Sequence, residues 1–261
     1  MKKIIFFTVI FLVSFITKAQ VSEDRTVNHF SKLKASTSVD VFYTLSDQKS
    51  IKVTTDDNEK LQLIKTKVDD GTLKIYVDTD SYKRKNKKKS NQNMVNNVSF
   101  KVLKVEISGP ALESFETTSS AEIKINGINT THDLAIKCSS SGSISGSFKS
   151  RNMIINTSSS SDFIADINTE NATIETSSSS DIELKGYVNN LVLDCSSSSD
   201  CDLKGLKAKN AKIKASSSSD VIITVVNELE AHASSSAEIN YYGNPSIVKV
   251  KESSSGKVTN K

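Results

Sequence analysis

Apolar and polar residues alternate along most of the chain after residue 105, and the alternation restarts at a nearly constant interval. The run Ser-Ser-Ser-Ser-Asp occurs four times, in steps of 19, 19 and 20 residues, and ends at Asp162, Asp181, Asp200 and Asp220. A fixed period of this length is typical of a repeat architecture. We therefore take the Asp of each run as position 0 and number the other residues of a copy relative to it.

Eight copies can be aligned on position 0, and the outer ones are degenerate, as terminal repeats usually are. Position 0 holds Glu122, Ser143, Asp162, Asp181, Asp200, Asp220, Glu238 and Lys257. Position −7 is apolar and holds Phe115, Ile136, Ile155, Ile174, Leu193, Ile213, Ala231 and Val250. Position −6 is polar and holds Glu116, Lys137, Asn156, Glu175, Asp194, Lys214, His232 and Lys251. Odd positions are apolar or small and even positions mostly polar, which predicts half-buried β-strands.

A single copy is too short to bury its own apolar side, so the copies must stack on one another. We predict two short strands per copy, joined by the Ser run and followed by a turn of five or six residues that holds Gly127, Gly186, Gly205 or Asn189-Asn190. The predicted fold is all-β: a parallel β-helix-like β-solenoid of about eight rungs of 18–21 residues, with an N-terminal β cap. At about 4.8 Å per rung, the rod is ~38 Å long.

The residue at position −1 is always small, which predicts a sharp, crowded bend. It is Ala121, Gly142, Ser161, Ser180, Ser199, Ser219, Ala237 or Gly256. Because odd positions point inward, some Ser hydroxyls should be buried, and a Ser stacked above another Ser would supply the hydrogen-bond partner that each needs. We favour this structural role over a nucleophile, because a catalytic Ser needs an adjacent base. Of the three His, His29 and His132 lie outside the Ser columns, and His232 falls in an outward polar column.

The chain is predicted to comprise three segments. Residues 1–20 have a Lys2-Lys3 start, an apolar run and a small-residue cleavage site, which together predict a secretory signal peptide. Residues 21–105 form an N-terminal β region or cap, with a basic loop at 83–89 that we interpret as solvated. Residues 106–261 form the Ser-rich solenoid, continuous with the cap.

The N-terminal region carries two further strand signals. Residues 30–43 match the repeat frame, and Leu33, Ala35, Val41 and Tyr43 would point inward. Asp70-Gly71 precedes an alternating stretch, which predicts a hairpin turn.

Charge and composition narrow the classes of partner. The first twenty residues hold three Lys and no acidic residue, so the remainder has 31 basic and 30 acidic residues. This near-neutral balance argues against nucleic acid as a partner. No segment after the signal peptide is apolar enough to span a membrane. Nothing in the sequence indicates an oligomeric state.

The three cysteines are interpreted as small, buried and inert core residues. Cys138 and Cys195 share position −5 but are three rungs apart, about 14 Å at the rung spacing. Cys195 and Cys201 share a rung but lie on opposite sides of the Ser run. We therefore predict no disulfide, and the pattern of His and Cys predicts no zinc site.

The order of several segments resembles the putative auto-transporter adhesin, head GIN domain family of exported proteins in Bacteroidetes-type bacteria. The resemblance rests on residues 30–45, on Asp69-Asp-Gly-Thr-Leu-Lys-Ile, on Val105-Glu-Ile-Ser-Gly-Pro-Ala-Leu-Glu-Ser-Phe and on the recurrent Ser-Ser-Asp-Ile rungs. The family's usual rung is similar to Gly-Ser-Gly-Asp-Ile, and here Ser occupies most of the Gly positions, as in Ser159-Ser160-Ser161-Asp162. The resemblance implies an exported β-helical protein and carries over no catalytic residue.

Three functions are compatible with these patterns. The first is a non-enzymatic module of the periplasm, cell surface or extracellular space that binds a glycan, envelope or protein surface through repeated side chains. The second is a polysaccharide-acting lyase or glycosidase, for which the column Asp162, Asp181, Asp200 and Asp220 would supply carboxylates at about 5–10 Å. The third is an envelope protein whose Asp column binds cations, although calcium needs more oxygen ligands than this. We predict no catalytic residue, cofactor or metal site, and keep the four Asp as a possible ligand-facing ladder.

Overall fold

The computed structural model describes residues 20–78 and 98–261. The first seven strands are β1 (Val21–Asp24), β2 (Lys32–Ala35), β3 (Asp40–Leu45), β4 (Ser50–Thr55), β5 (Ile64–Asp69), β6 (Thr72–Val77) and β7 (Leu103–Gly109). The next eleven are β8 (Ser114–Thr117), β9 (Glu122–Thr130), β10 (Asp133–Cys138), β11 (Ser143–Ser158), β12 (Asp162–Ser177), β13 (Asp181–Cys195), β14 (Asp200–Ala215), β15 (Asp220–Ala233), β16 (Glu238–Tyr242), β17 (Ile247–Glu252) and β18 (Lys257–Asn260). A four-residue helix, α1 (Asn58–Leu61), lies between β4 and β5. The predicted signal peptide, apart from Gln20, and the predicted basic loop at 83–89 lie outside the described residues.

The predicted all-β solenoid is confirmed. From β8 onward, successive copies pair in parallel, and Asp162 pairs with Asp181, Asp181 with Asp200 and Asp200 with Asp220. Each rung has an upstream face, formed by the residues before the Ser run (171–177 in one rung), and a downstream face, formed by those after it (181–188). The period of two holds on both faces, and the apolar positions point into the space between them.

The prediction of a separate turn after each downstream segment is wrong for the central rungs. The strands β11 to β15 have 14 to 16 residues, and each runs from the downstream face of one rung around a corner to the upstream face of the next. At the corner in β12, Thr169 and Ala172 are both buried, so the inward parity shifts by one. Parallel pairing continues on both sides of this shift.

Gly186 has a different role from the predicted turn. It lies within β13 at φ +105°, and a Cβ there would collide with the carbonyl oxygen of Ile167 on the neighbouring strand. Only glycine allows both this backbone conformation and this close approach.

The core is a continuous column of side chains between the two faces. An aromatic row crosses it near the start of the solenoid, from Tyr43 to Phe115, Phe148 and Phe163, with successive ring centroids 5.9 Å apart. The Tyr43 hydroxyl donates to the carbonyl of Pro110 at 2.6 Å, which satisfies the one polar group in this row. The row fills the space between faces that the aliphatic rungs fill with Ile, Leu and Val.

The N-terminal strands extend the stack and then cover its end. β2 and β3 form a rung beside β8 and β9, in which Asp40 pairs with Glu122, so the predicted match of residues 30–43 to the repeat frame is confirmed. β6 and β7 add a further parallel rung, and β4, β5 and β1 pair antiparallel outside it. The predicted hairpin is confirmed at Asp70-Gly71, which joins β5 to β6 with both φ angles positive. The division at residues 105 and 106 stays a prediction.

Arg25 links strands of the N-terminal cap through hydrogen bonds. Its guanidinium donates to the carbonyls of Leu61 and Ile64, so the chain after β1 is tied to the end of α1 and the start of β5. These contacts link the outermost strands of the two faces, because β1 belongs to the downstream side and β5 to the upstream side.

The C-terminal end differs from the N-terminal one. Val248 and Val250 of β17 are 42% and 47% exposed, although the equivalent positions of the preceding rungs are buried. In the described part of the chain no strand pairs on the outer side of β17 or β18. No helix of the described residues is long and apolar enough to cross a membrane.

An asparagine ladder runs along the outside of the corner. Each side-chain amide Nδ2 donates to the Oδ1 one rung earlier, at 2.8–3.0 Å, from Asn227 through Asn210, Asn190 and Asn171 to Asn152 and finally Asp133. Such ladders form only when identical side chains stack in register, because each amide needs a matching carbonyl at the rung spacing. The ladder therefore holds the corners of six rungs in line.

We predict that Asn190→Ala destabilises the protein by about 1 kcal/mol, because it removes one donated and one accepted hydrogen bond of the ladder. Urea unfolding followed by circular dichroism measures this change. Asn168→Ala is the matched control: Asn168 is an exposed asparagine of the preceding strand that lies outside the ladder, and its loss should cost less than about 0.5 kcal/mol. Equal effects of the two substitutions would show that the ladder adds nothing to stability.

Candidate functional site

The serine turns form one edge of the rod. In each rung positions −3 and −2 have φ between +49° and +65°, from Thr37-Ser38 in the first rung to Ser254-Ser255 in the last. The left-handed conformation costs a non-glycine residue roughly 1–2 kcal/mol. These residues are exposed, so the turn presents two hydroxyl groups per rung to solvent.

Hydrogen bonds between rungs hold these turns in place. The amide of position −2 donates to the carbonyl of position −3 in the next rung, as from Ser160 to Ser178 at 3.0 Å and from Ser179 to Ser197 at 3.1 Å. The amide of position 0 donates in the opposite direction, as from Asp181 to the carbonyl of Ser161 at 3.0 Å. The turn backbone is thus paired on both sides, which sustains a strained conformation that an isolated turn would not keep.

Position −1 is buried and crowded, as predicted. The residues Ser161, Ser180, Ser199 and Ser219 are fully buried. In the rung where this residue is Gly142, an added Cβ would lie 2.8 Å from the Thr117 hydroxyl oxygen. Small size is therefore required here.

The predicted stacking of Ser upon Ser is wrong for these hydroxyls. Ser180 Oγ donates to the carbonyl of Ser177 at 2.7 Å and lies 2.9 Å from Thr176 Oγ1, whereas Ser219 Oγ donates to the carbonyl of Cys195. The partners are the turn's own backbone and the position −5 hydroxyl for Ser180, and the position −5 carbonyl of the preceding rung for Ser219. Within the described residues no serine hydroxyl hydrogen-bonds to a His or a carboxylate, so none has the base that a nucleophile needs.

The predicted acidic ladder is brought together. Asp162, Asp181, Asp200 and Asp220 stand next to one another in register on the downstream side of the serine turns. Asp162 is half-buried and the other three are exposed. Although Ser hydroxyls and turn amides lie nearby, these four carboxylates accept no hydrogen bond in residues 20–78 and 98–261.

Partial burial and the stacking of like charges raise the pKa of two residues of this column, Asp181 and Asp220. Partial burial, followed by repulsion from Asp200 and Asp162, raises the pKa of Asp181 above its usual value. Partial burial and then Asp200 and Glu238 raise the pKa of Asp220 in the same way. In the described part of the chain no group of three or more His, Cys, Asp or Glu is arranged to hold a metal ion. The column contributes one carboxylate per rung, spread along the rod rather than converging on a point.

A second polar surface lies on the upstream face and was not singled out by the sequence. A shallow depression of about 510 Å³ spans four rungs beside the serine turns. Its polar lining is Lys137, Asn156, Glu175 and Asp194 of position −6 and Ser158, Ser177 and Ser196 of position −4. We call it the upstream groove. It offers cationic, amide, hydroxyl and anionic groups in a row at the rung spacing.

The cysteines occupy the core as predicted, but two of them are closer than the sequence suggested. Cys138, Cys195 and Cys201 are all buried, and Cys138 is three rungs from Cys195. The interpretation that the Ser run separates Cys195 from Cys201 is wrong: their sulfur atoms lie 3.3 Å apart, because the turn folds both side chains inward. Burial raises the pKa of the Cys138 thiol to about 12.

Comparisons with known proteins bear on family and fold. A family profile described as "Putative auto-transporter adhesin, head GIN domain" matches residues 29–245. Comparison with curated proteins gives no match. Among solved structures, the chain is similar to a protein described as a putative lipid binding protein from Parabacteroides distasonis, with 24% identity, TM-score 0.78, and 94% of this chain and 98% of that one covered.

Two further structures are described as putative adhesins. One, from Parabacteroides merdae, has 16% identity and TM-score 0.81, with 94% of this chain and 97% of that one covered. The other, from Bacteroides fragilis, has 19% identity and TM-score 0.64, with 94% and 98% covered. At these identities the likeness shows a shared fold.

We predict that Ser179→Val destabilises the protein by about 2 kcal/mol, because a β-branched residue is poorly tolerated at positive φ. Ser179→Gly should leave stability within about 0.5 kcal/mol of the wild type, since glycine adopts this conformation without strain. Chemical unfolding measures the stability of both variants and of a control, Ser177→Val. Ser177 precedes the two left-handed residues of this turn, Ser178 and Ser179. Equal stability of the Ser179→Val and Ser179→Gly variants would refute the left-handed turn.

We predict that Asp181→Asn stabilises the protein at pH 7 by about 0.5 kcal/mol, a small value because the column is exposed and screened. A raised carboxyl pKa in the folded state means that folding favours the protonated form, so the penalty is present at neutral pH and is relieved as the pH falls through the folded pKa. The gain should vanish below about pH 3.9 and shrink in salt.

Thermal unfolding across pH checks this prediction, with Asp166→Asn as control. Asp166 lies on the same face but pairs with Lys185 rather than with another acid. Its substitution should therefore give no stabilisation at pH 7. If Asp181→Asn lowers the melting temperature at pH 7, the Asp181 carboxylate makes a net attractive interaction in the folded state. That result would contradict repulsion between the stacked carboxylates.

Proposed function

Because the chain belongs to the putative auto-transporter adhesin, head GIN domain family, we propose that it is an exported, non-enzymatic protein that binds a surface ligand through its stacked rungs. The distant structural likeness to proteins described as putative adhesins supports a surface binding role. The predicted signal peptide at 1–20 supports export to the periplasm, the cell surface or the medium.

The observation that carries the proposal is the register of the outward columns. Successive rungs place Asn156, Glu175 and Asp194 side by side on the upstream face, each one rung from the next. A rigid row of this kind matches a ligand that also repeats, so several weak contacts form together and add to avidity. The surface need not contain any single deep pocket to bind firmly.

The chemistry of the upstream groove favours a polyhydroxylated ligand such as a surface glycan. Lys137 supplies a donor, Glu175 and Asp194 supply acceptors, and Asn156 with the three serines supplies both. Sugar hydroxyls donate and accept in the same way. The groove is shallow and open, which suits the side of an extended chain more than a small molecule enclosed on all sides.

The acidic ladder gives weaker support to the alternative of a polysaccharide-acting enzyme. Glycoside hydrolysis needs two carboxylates with different environments, one held protonated and one ionised. Asp181 and Asp220 instead have the same perturbation from the same causes. The neighbouring-rung spacing that could fit the reaction follows from the repeat itself. A cation-binding role would require further oxygen ligands around the column.

The proposal predicts that the purified chain binds glycans or whole envelopes and that binding depends on several rungs at once. A single substitution, Glu175→Ala, should weaken binding several-fold, and the triple change Asn156→Ala, Glu175→Ala and Asp194→Ala by roughly 100-fold, because avidity is lost with valency. Glycan arrays and retention on isolated envelope and host-cell surfaces give the measurement.

The matched control is a triple change on the downstream face of three adjacent rungs, two of which also carry the upstream triple change. Ser147→Ala, Asp166→Asn and Lys185→Gln alter one outward row in register, and binding should stay within about two-fold of the wild type, as for substitutions outside a contact. Retention on none of the surfaces would contradict the proposal, and retention on lipid vesicles alone would replace the glycan by a lipid. Turnover of an acidic polysaccharide that Asp181→Asn abolishes would establish the enzymatic alternative.

A further inference from the structure

Two thiols meet in the middle of the solenoid. Cys195 is the last residue of β13, Cys201 is the second residue of β14, and the serine turn 196–199 lies between them. Both side chains are buried, and their sulfur atoms are 3.3 Å apart. A disulfide bond is about 2.05 Å long, so the sulfurs need to approach by only ~1.3 Å to be bonded.

Packing does not require cysteine at either position. The neighbouring rungs have Thr176 with Ile182 on one side and Ala215 with Val221 on the other, and these pairs fill the same columns. Of these three rungs, the one with Cys195 and Cys201 has cysteine at both position −5 and position +1. Two thiols at contact distance can form a covalent bond, which the residue pairs of the neighbouring rungs cannot.

We propose that Cys195 and Cys201 form a disulfide in the exported protein, which closes the serine turn at the centre of the rod. The oxidant is an external disulfide, either a small-molecule disulfide or a protein dithiol oxidant of the envelope. One cysteine thiolate attacks it to give a mixed disulfide and one free thiol. The second cysteine thiolate then attacks the mixed disulfide at the protein sulfur and releases the second thiol. Two S–H bonds of the protein become one S–S bond, and the two electrons and two protons leave on the released thiols.

The reaction precedes closure of the rung. In the folded chain the contact with Cys195 and burial raise the pKa of Cys201 well above its usual value, so the thiolate that must attack is scarce. Both sulfurs are also shielded from any external disulfide. Oxidation therefore occurs while the turn is still open during folding, and the finished bond is sheltered from reductants.

The disulfide would constrain a serine turn whose backbone is strained. The turn it spans contains Ser197 and Ser198, both at positive φ, and depends on the rungs on either side for its hydrogen bonds. A covalent link between positions −5 and +1 keeps the two faces together at this rung when neighbouring rungs open. It therefore reduces local unfolding in the middle of a stack whose stability is otherwise built from nearest-neighbour contacts.

The test counts free thiols after folding under oxidation. The mature chain is secreted into a bacterial periplasm and, in a parallel arm, refolded in vitro with oxidised glutathione. Each sample is then denatured, alkylated without reductant and weighed intact. We expect one alkylated cysteine, Cys138, out of three. Cys138→Ala should give none, and Cys201→Val should give two. The Val residue copies Val221 of the adjacent rung, so this variant retains the packing.

The melting temperature supplies an independent readout. Reduction followed by refolding should lower it on the order of 5 °C in the wild type and leave Cys201→Val unchanged. Three alkylated cysteines in the glutathione arm would overturn the proposal, since the geometry would then fail even with oxidant supplied. If one cysteine is alkylated after refolding with glutathione but all three are alkylated after secretion, the disulfide forms only in vitro. That result would overturn the proposal for the exported protein. Neither outcome affects the ligand-binding proposal.

Discussion

The hydrogen bonds that join one serine turn to the next are the interaction on which the rest of the structure depends. Two consecutive residues of each turn are left-handed, and outside glycine this conformation is unfavourable. The turn persists because the amide of position −2 and the carbonyl of position −3 are paired with the rungs on either side. No rung can therefore keep its bend alone, and the fold exists only as a stack.

Stacking in strict register has opposite consequences for different side chains. Where the repeated residue both donates and accepts, as at Asn171 and Asn190, repetition produces a continuous ladder of hydrogen bonds. Where the repeated residue carries a charge, repetition produces repulsion: partial burial and then the neighbouring Asp200 and Asp162 raise the pKa of Asp181. The same register that strains the acidic column presents any outward row to a partner at regular intervals, and this regularity is the physical basis of the proposed binding.

Much of the fold follows from the sequence, because a column of like residues has one simple explanation. The constant step between Asp162, Asp181 and Asp200 and the inward parity of position +1 were sufficient to predict the rungs, their register and the acidic ladder.

The corner was missed because the strand passes it without a turn residue, so that Thr169 and Ala172 alone mark the shift of parity. The asparagine ladder stands at position −10, as at Asn171 and Asn190, and was overlooked because the columns compared in the sequence began at position −7. The contact between Cys195 and Cys201 depends on how far apart the two faces are at the turn, which a column alignment does not contain. The upstream groove likewise depends on surface relief that a column alignment does not contain: Ser177 and Glu175 both line it, but Ser177 is less exposed.

The central claim is tested most directly by hydrogen exchange at single turn residues, measured by NMR. The amides of Ser179, Ser198 and Ser218 lie on an exposed edge, yet each donates to the next rung. The account predicts that they exchange as slowly as amides within the strands. The amides one residue earlier, at Ser178, Ser197 and Ser217, have no backbone acceptor among the described residues and should exchange quickly. Fast exchange at both positions, or equal protection at both, would contradict the account.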